Sequence, residues 1–216
     1  MKIYLKNLWK ENKSLLVFIS LMLVFRSAVA DWNDVPTGSM QPTIVEGDRI
    51  LINKLAYDIN VPFIHSSIVK LADPKRNDIV IFESKIADKR LVKRVIGIPG
   101  DVIAMKDNKL TINGQQVNYQ ITSQQTDKTI IDEIFIGNKH QIQITGNNSS
   151  SANFNAVAVP EDHFLVLGDN RNNSADSRFI GFVPRNEIIG RSEKVILSLD
   201  YENYFLPRSE RFFINI

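Results

Sequence analysis

The chain of 216 residues contains no cysteine, which excludes a disulfide scaffold, thiolate catalysis and cysteine-ligated zinc while leaving the redox compartment open. It has only three histidines. None of them (His65, His140, His163) stands in a segment with the signature of a serine–histidine–acid triad, so each reads as a surface or internally satisfied side chain. Neither sign of charge accumulates: 26 Lys and Arg against 24 Asp and Glu leave +2, far from the basic footprint of a nucleic-acid binder. There is no internal repeat, and no long amphipathic helix follows the N-terminal region. With 44% hydrophobic and 23% charged residues, the composition is that of one main folded domain with a single sizeable core.

Long apolar runs are almost absent too, and the exception is informative. Ser14–Phe25 (SLLVFISLMLVF), followed by Arg26-Ser27-Ala28-Val29-Ala30, falls slightly short of the ~20 residues a spanning helix prefers. Trp9 and Trp32 flank it about 23 residues apart, roughly 35 Å of helix, near the separation of two membrane interfaces. Lys2, Lys6, Lys10 and Lys13 precede it against Glu11 alone, and Arg26 behind it can snorkel outward. These features predict a transmembrane anchor over 14–31 with residues 1–13 in the cytoplasm and everything after Asp31 on the far side. A cleaved signal peptide ending at Ala28-Val29-Ala30 is the rival reading. Arg26 beside the small residues, and Trp32 as an interface anchor, favour retention.

Beyond the anchor the pattern is mainly β. Strands are predicted at 49–53, 78–83, 91–98, 102–105 and 109–112, the last running into an Asn113-Gly114 turn. Further strands are expected at 130–136, 141–145, 156–159, 164–167 and 194–199, separated by Gly, Pro and Asn. The stretch 106–155 is richer in Gln, Asn, Thr and Ser, and is expected to be a smaller lobe inserted between the core segments 32–105 and 156–216. In the tail, Tyr201, Tyr204, Phe205, Phe212 and Phe213 are expected to pack on the core, with lipid headgroups as the alternative contact.

Three separated segments carry chemistry. In Pro36-Thr37-Gly38-Ser39-Met40-Gln41-Pro42-Thr43, the prolines push neighbouring backbone toward extended geometry, which predicts no helix there and places the Thr37 and Ser39 hydroxyls on one side. Ser39 is then a candidate nucleophile. The Thr37 hydroxyl and the Ser39 N–H form a candidate oxyanion hole, where one donor is worth ~3 kcal/mol of transition-state stabilisation. With no histidine to serve as base, Lys93 in Leu91-Val92-Lys93-Arg94-Val95 is the candidate, because Leu91 and Val95 share its strand face and disfavour the ammonium. Bringing a lysine from ~10.4 to near 7 costs about 4–5 kcal/mol, so the surroundings must be dry. Arg94 points to the opposite face, where a carboxylate can meet it.

In the third segment, Gly168-Asp169-Asn170-Arg171-Asn172-Asn173-Ser174-Ala175-Asp176-Ser177-Arg178, alternation lets Ser174 orient the Lys93 amine while Asp176 and Arg178 pair as support. Cation binding through Asp169, Asn170 and Asp176 is the competing reading of this loop.

Taken in order with Gly47-Asp48-Arg49-Ile50-Leu51-Ile52-Asn53-Lys54, the segments SMQPT, GDRILINK, KRVIGIPGD and GDNRNNSADSR resemble the motif set of bacterial type I signal peptidases, the Ser/Lys-dyad S26 family, from about Trp32 to Leu199. The resemblance implies a mainly β, signal-peptidase-like barrel or sheet core with a small inserted lobe and one N-terminal transmembrane helix. It implies Ser39 as nucleophile, Lys93 as general base, Thr37 as oxyanion donor, Ser174 as the hydroxyl positioning the lysine, and Asp176 with Arg178 as a structural pair. Val35, Pro36, Met40 and Ile44 would line pockets for the small residues of an Ala-x-Ala site. The implied partners are exported preproteins and the bilayer of the bacterial inner or plasma membrane, with no nucleic acid, metal or cofactor. Well-known Gram-negative members differ in having two membrane segments. A specialised relative trimming one client, such as a conjugative pilus or secretion component, fits the same residues. Self-cleaving repressor proteases share the dyad but carry a DNA-binding domain where this chain has its apolar run. An inactive signal-peptide-binding module would have no use for a buried lysine.

Overall fold

The computed structural model describes residues 2–64, 66–146 and 150–216, with side chains described from residue 12 onward except residue 150. The side chains of Lys2, Lys6, Trp9, Lys10 and Glu11, together with His65 and Asn147–Ser149 of the polar tract, lie outside the described residues. A helix, Lys2–Ala28, opens the chain and is followed by strands throughout. Among the described residues no helix is long and apolar enough to cross a membrane.

The helix stops at Ala28 because Ala30–Asp34 is a strand, paired in register from Ala30↔Asn53 to Asp34↔Arg49. The expected anchor boundary at Asp31 is therefore too late. Trp32 sits in this strand opposite Leu51, so one helix does not connect the two tryptophans. Arg26 is held rather than free. Its guanidinium lies 3.8 Å from the Trp32 ring centre and pairs with Asp31 at 2.7 Å. Lys54, buried at the end of the Asp48–Asn53 strand, donates to the carbonyls of Arg26 and Ser27 at 2.8 and 3.2 Å, supplying a cation to the negative end of the helix dipole.

An eight-stranded antiparallel sheet forms the centre, in the order Ala30–Asp34, Asp48–Asn53, Ile188–Asp200, Ile79–Ser84, Lys89–Gly97, His163–Leu167, Val183–Pro184, with Leu206–Pro207 added beside Ile188–Asp200. At its centre the continuous apolar run Ile79–Phe82 is that of a strand buried on both faces. Ile79 and Ile81 join Ile50, Ile52 and Val195 on one side, while Val80 and Phe82 join Val95, Phe164 and Val166 on the other. A second sheet runs Phe154–Ala158, Val102–Lys106, Lys109–Ile112, Gln115–Gln116, and a third is the meander Asn118–Gln124, Lys128–Phe135, Asn138–Thr145. The second sheet packs Ile103, Met105, Leu110 and Ile112 against Ile96 and Leu165 of the central one. Its strands span both ends of the predicted 106–155 lobe.

Ser39 lies in the loop between the paired strands Ala30–Asp34 and Asp48–Asn53. Bonds from Val35 N to Asp48 O (2.9 Å) and Gly47 N to Val35 O (3.0 Å) close the base of that loop. Gly47 has φ +88°, and a Cβ there would meet the Leu199 carbonyl oxygen at 1.9 Å, so only glycine fits the closure. Inside the loop, Met40 and Ile44 are 1% and 0% exposed. At about 1.5–3 kcal/mol per buried side chain, they pin the nucleophile segment to the core.

The tail differs from expectation. Tyr204, Phe205 and Phe213 are exposed, with 92%, 61% and 73% of their surface open, and all three have positive φ.

Candidate active site

Strand register brings the three segments together. Lys89–Gly97 pairs with Ile79–Ser84 on one side, where Lys93 faces Val80. On the other it pairs with His163–Leu167, through Val95↔Val166 and Arg94↔Leu167. The chain leaving Leu167 therefore enters Gly168 beside Lys93, and the loop that follows covers the Ser39 segment from above the sheet end.

Lys93 is 2% exposed. Its Nζ donates to Ser39 Oγ at 2.8 Å and to the Val92 carbonyl at 2.9 Å. Burial pulls its pKa down from 10.5 to about 8, against the opposing attraction of Asp176 and Asp169. The neutral amine is thus easier to form than in water, in the direction expected from the sequence, while the two carboxylates, which the apolar face of the strand does not reveal, oppose the shift.

Ser39 does not lie in extended backbone. Gly38–Met40 is a 3₁₀ turn closed by Gln41 N to Gly38 O at 3.1 Å. The prolines act only on the residues before them. Gln41, ahead of Pro42, is extended at ψ 142°, whereas Gly38–Met40, none of which precedes a proline, remain free to close the turn. Thr37 keeps the extended geometry expected of it, is exposed, and its hydroxyl caps nothing.

Arg94 points away from Lys93 and meets Asp169 in a buried two-pronged pair, Nε to Oδ1 at 2.9 Å and Nη2 to Oδ2 at 2.7 Å. Burial alone would raise the Asp169 carboxyl, but Arg94 and the Thr43 hydroxyl hold it below the ordinary carboxylate range. Asp176 and Arg178 form a second such pair, with both contacts at 2.7 Å. They do so at the start of a short helix, Ser177–Ile180, which Asp176 caps, rather than along an alternating strand. Asp176 Oδ2 also accepts from Gly168 N at 2.9 Å. Both carboxylates named in the cation reading are therefore already engaged, and among the described residues no cluster suited to a metal is present.

Ser174 is buried, and its Oγ has no hydrogen-bond partner; the expected bond to Lys93 is not formed. It lies against Gly168, where a Cβ would meet Ser174 Oγ at 2.2 Å and the Ser39 carbonyl oxygen at 2.5 Å. Of the residues expected to line the small-residue pockets, Pro36 is exposed while Val35, Met40 and Ile44 are core. They pack into the core beside Ile50, Ile52 and Val195 and so back the site from beneath. His140 and His163 contact Glu133 and the Glu161 carbonyl, and neither is bonded to Ser39.

One connection escaped the sequence reading. Arg171, 0% exposed at its side chain, pairs with Glu133 at 2.8 Å and ties the meander to the loop after Gly168. Glu133 inside the apolar run Ile130–Ile136 was the available signal, since a carboxylate there needs a buried partner.

Residues 8–197 match the family described as signal peptidase, peptidase S26. The chain is 32% identical over 203 residues to a signal peptidase I of Pseudomonas fluorescens, covering 87% of this chain and 72% of the relative. It is 31% identical over 188 residues to one of Bacillus amyloliquefaciens, covering 87% and 84%. A crystal structure of a signal peptidase I from Enterococcus faecalis is 27% identical, with a TM-score of 0.38, over 56% of this chain and 98% of that one. The chain belongs to the signal peptidase family, peptidase S26, and is a serine peptidase of signal-peptide processing.

Proposed function

We propose that the protein is a membrane-bound endopeptidase that cuts N-terminal signal peptides after small residues, using Ser39 as nucleophile and Lys93 as general base. The observation that carries this reading is the 2.8 Å contact between the Ser39 hydroxyl and an amine that is 2% exposed. A neutral Lys93 accepts the Ser39 proton as Oγ bonds to the scissile carbonyl carbon, and the Thr37 hydroxyl and Ser39 N–H hold the developing oxyanion. The lysinium then protonates the departing amine, the new N-terminus of the mature protein. The signal peptide stays esterified to Ser39. Lys93, neutral again, deprotonates the water that hydrolyses the ester. Ser174, whose buried hydroxyl is left without a hydrogen-bond partner, turns toward the amine to orient it during this cycle, and the Asp176–Arg178 pair holds Gly168 through the Asp176 carboxylate. The reaction draws on no metal or cofactor.

Substrate enters as an extended strand. Leu91 and Val92 pair with Ile79–Ser84 on one edge, while pairing with His163–Leu167 begins only at Arg94. The open edge next to the dyad is available to a peptide backbone. Pro36, backed by Val35, Met40 and Ile44, restricts the adjoining pockets to small side chains. The N-terminal helix anchors the enzyme, with residues 1–13 cytoplasmic and the sheet on the extracytoplasmic side. In support, Leu15, Phe18, Leu21 and Leu23 of that helix are all exposed, an apolar surface suited to contact with lipid. Preproteins held in the same bilayer then meet the site at high local concentration.

Detergent-solubilised protein mixed with a preprotein bearing an Ala-x-Ala site tests the assignment. The parent should cleave, while Ser39→Ala and Lys93→Met should not. Undiminished turnover by Lys93→Met would remove the lysine from the mechanism.

A further inference from the structure

We propose that Asn170 is a positioning residue that fixes the two peptide units on either side of the Ser39 Cα, aiming the nucleophile and its oxyanion donor together; the inference rests on the Ser39/Lys93 reading. Asn170 is 2% exposed and makes two hydrogen bonds into the nucleophile turn. Its side-chain Nδ2 donates to the Gly38 carbonyl at 3.0 Å. Its backbone N–H donates to the Ser39 carbonyl at 3.1 Å.

The Gly38 carbonyl and the Ser39 N–H belong to one planar trans peptide unit and point in opposite directions across it. Holding the carbonyl therefore sets the direction of the N–H. That N–H is the backbone donor of the oxyanion hole, whose value depends on being aimed before charge develops. The second bond holds the next peptide unit. With both units fixed, the Cα–Cβ direction of Ser39 is fixed as well, and with it the path from Oγ to the Lys93 amine.

The local chain cannot supply this constraint. Within the turn, the Gly38 carbonyl accepts only from Gln41 N, at 3.1 Å, and a single 3₁₀ turn has poor hydrogen-bond geometry. Gly38 also lacks a side chain to restrict the unit. Asn170 adds a second donor to the same carbonyl from the buried side.

The amide of Asn170 is itself oriented. Thr145 Oγ1 donates to its Oδ1 at 3.4 Å, and the Thr145 carbonyl accepts from Asn172 Nδ2 at 2.9 Å. Backbone bonds from Gln143 N to Asp169 O (2.8 Å) and Arg171 N to Gln143 O (2.9 Å) clamp the same strand to the loop. The strand Asn138–Thr145 thus acts on the nucleophile through one amide. Only asparagine presents an acceptor to Thr145 and a donor to Gly38 at this length; an aspartate would set oxygen against oxygen.

The test uses the full chain in detergent with an Ala-x-Ala preprotein, comparing the parent, Asn170→Ala, Asn170→Asp and Thr145→Val, with Ser39→Ala as blank. Both Asn170 variants should lose roughly tenfold to a hundredfold in kcat, less than deletion of an oxyanion donor, with KM unchanged within about twofold. Their affinity for a peptide boronate, which mimics the tetrahedral state, should fall by the same factor as kcat/KM. The pH midpoint of kcat/KM should not move, since Lys93 is untouched. Thr145→Val should show the same signature at smaller size. An unchanged kcat in Asn170→Ala, or kcat, KM and Tm falling together, overturns the proposal. If the Asn170 variants do not fold, an unchanged kcat in Thr145→Val overturns it. A folded parent that leaves preproteins intact overturns the Ser39/Lys93 reading itself, and so separates the two failures.

Discussion

Replacing Lys93 by methionine should stabilise the protein while destroying its activity, and the gain should depend on pH in a way that the structure fixes. Lys93 titrates at about 8 when folded against 10.5 as its ordinary value. The folded state therefore binds its proton less tightly than the unfolded chain does. Below pH 8 both states are protonated and the full cost of burying the ammonium is present. Between 8 and 10.5 the folded amine is neutral while the unfolded one is still charged, so stability rises with pH across that window. A difference of about 2.5 pH units corresponds to about 3 kcal/mol at pH 6.5, shrinking to roughly 1 kcal/mol at pH 10. Methionine occupies a similar volume without a charge, so most of that cost should disappear. Urea unfolding of parent and variant at the two pH values, read by tryptophan fluorescence, measures both numbers. A Lys93→Met protein no more stable than the parent at pH 6.5, or a gain equal at both pH values, would refute the account of a desolvated amine.

Other substitutions report on the surroundings of the dyad. Gly168→Ala should abolish cleavage while leaving the sheet folded, because its Cβ would overlap Ser174 Oγ at 2.2 Å and the Ser39 carbonyl at 2.5 Å; turnover within tenfold of the parent would contradict the packing described. Asp169→Ala strands Arg94, whose side chain is 4% exposed, and should cost about 3–5 kcal/mol in denaturant unfolding, the usual penalty for half a buried ion pair. Acid should act through the carboxylates that are paired when folded. Glu133 and Asp169 both titrate below their ordinary range, so their contribution is complete near neutrality and drains away as pH falls through and below about 4; a flat stability between pH 5 and 2.5 would contradict this.

Where the chain showed its own periodicity, its structure was readable. Ile50 and Ile52 alternate with Arg49 and Leu51 and are buried as alternation requires. Lys109–Ile112 ends in Asn113-Gly114, both with positive φ, as a tight hairpin demands. Ala30–Asp34 and Asn118–Gln124 were missed because each (ADWND, NYQITSQ) carries only two alternating apolar residues, too short a pattern to stand out from a loop. They are strands because neighbours offer edges to pair with, a tertiary decision. The proximity of Ser39 and Lys93 was legible through the combination of motifs. The 3₁₀ turn at Ser39 was not, since proline restrains only its immediate predecessor. Nor was the engagement of Asp169, whose partner lies 75 positions away along the chain. Arg94 announced a need for a carboxylate without saying which.

The central claim, that Ser39 is activated by an uncharged Lys93, is tested most directly by kcat/KM for an Ala-x-Ala preprotein measured from pH 6 to pH 10. A single acid limb with its midpoint near the lysine value of about 8, rising roughly tenfold per pH unit below it, is expected. A midpoint below pH 6, or a rate that does not change across the range, would contradict the account.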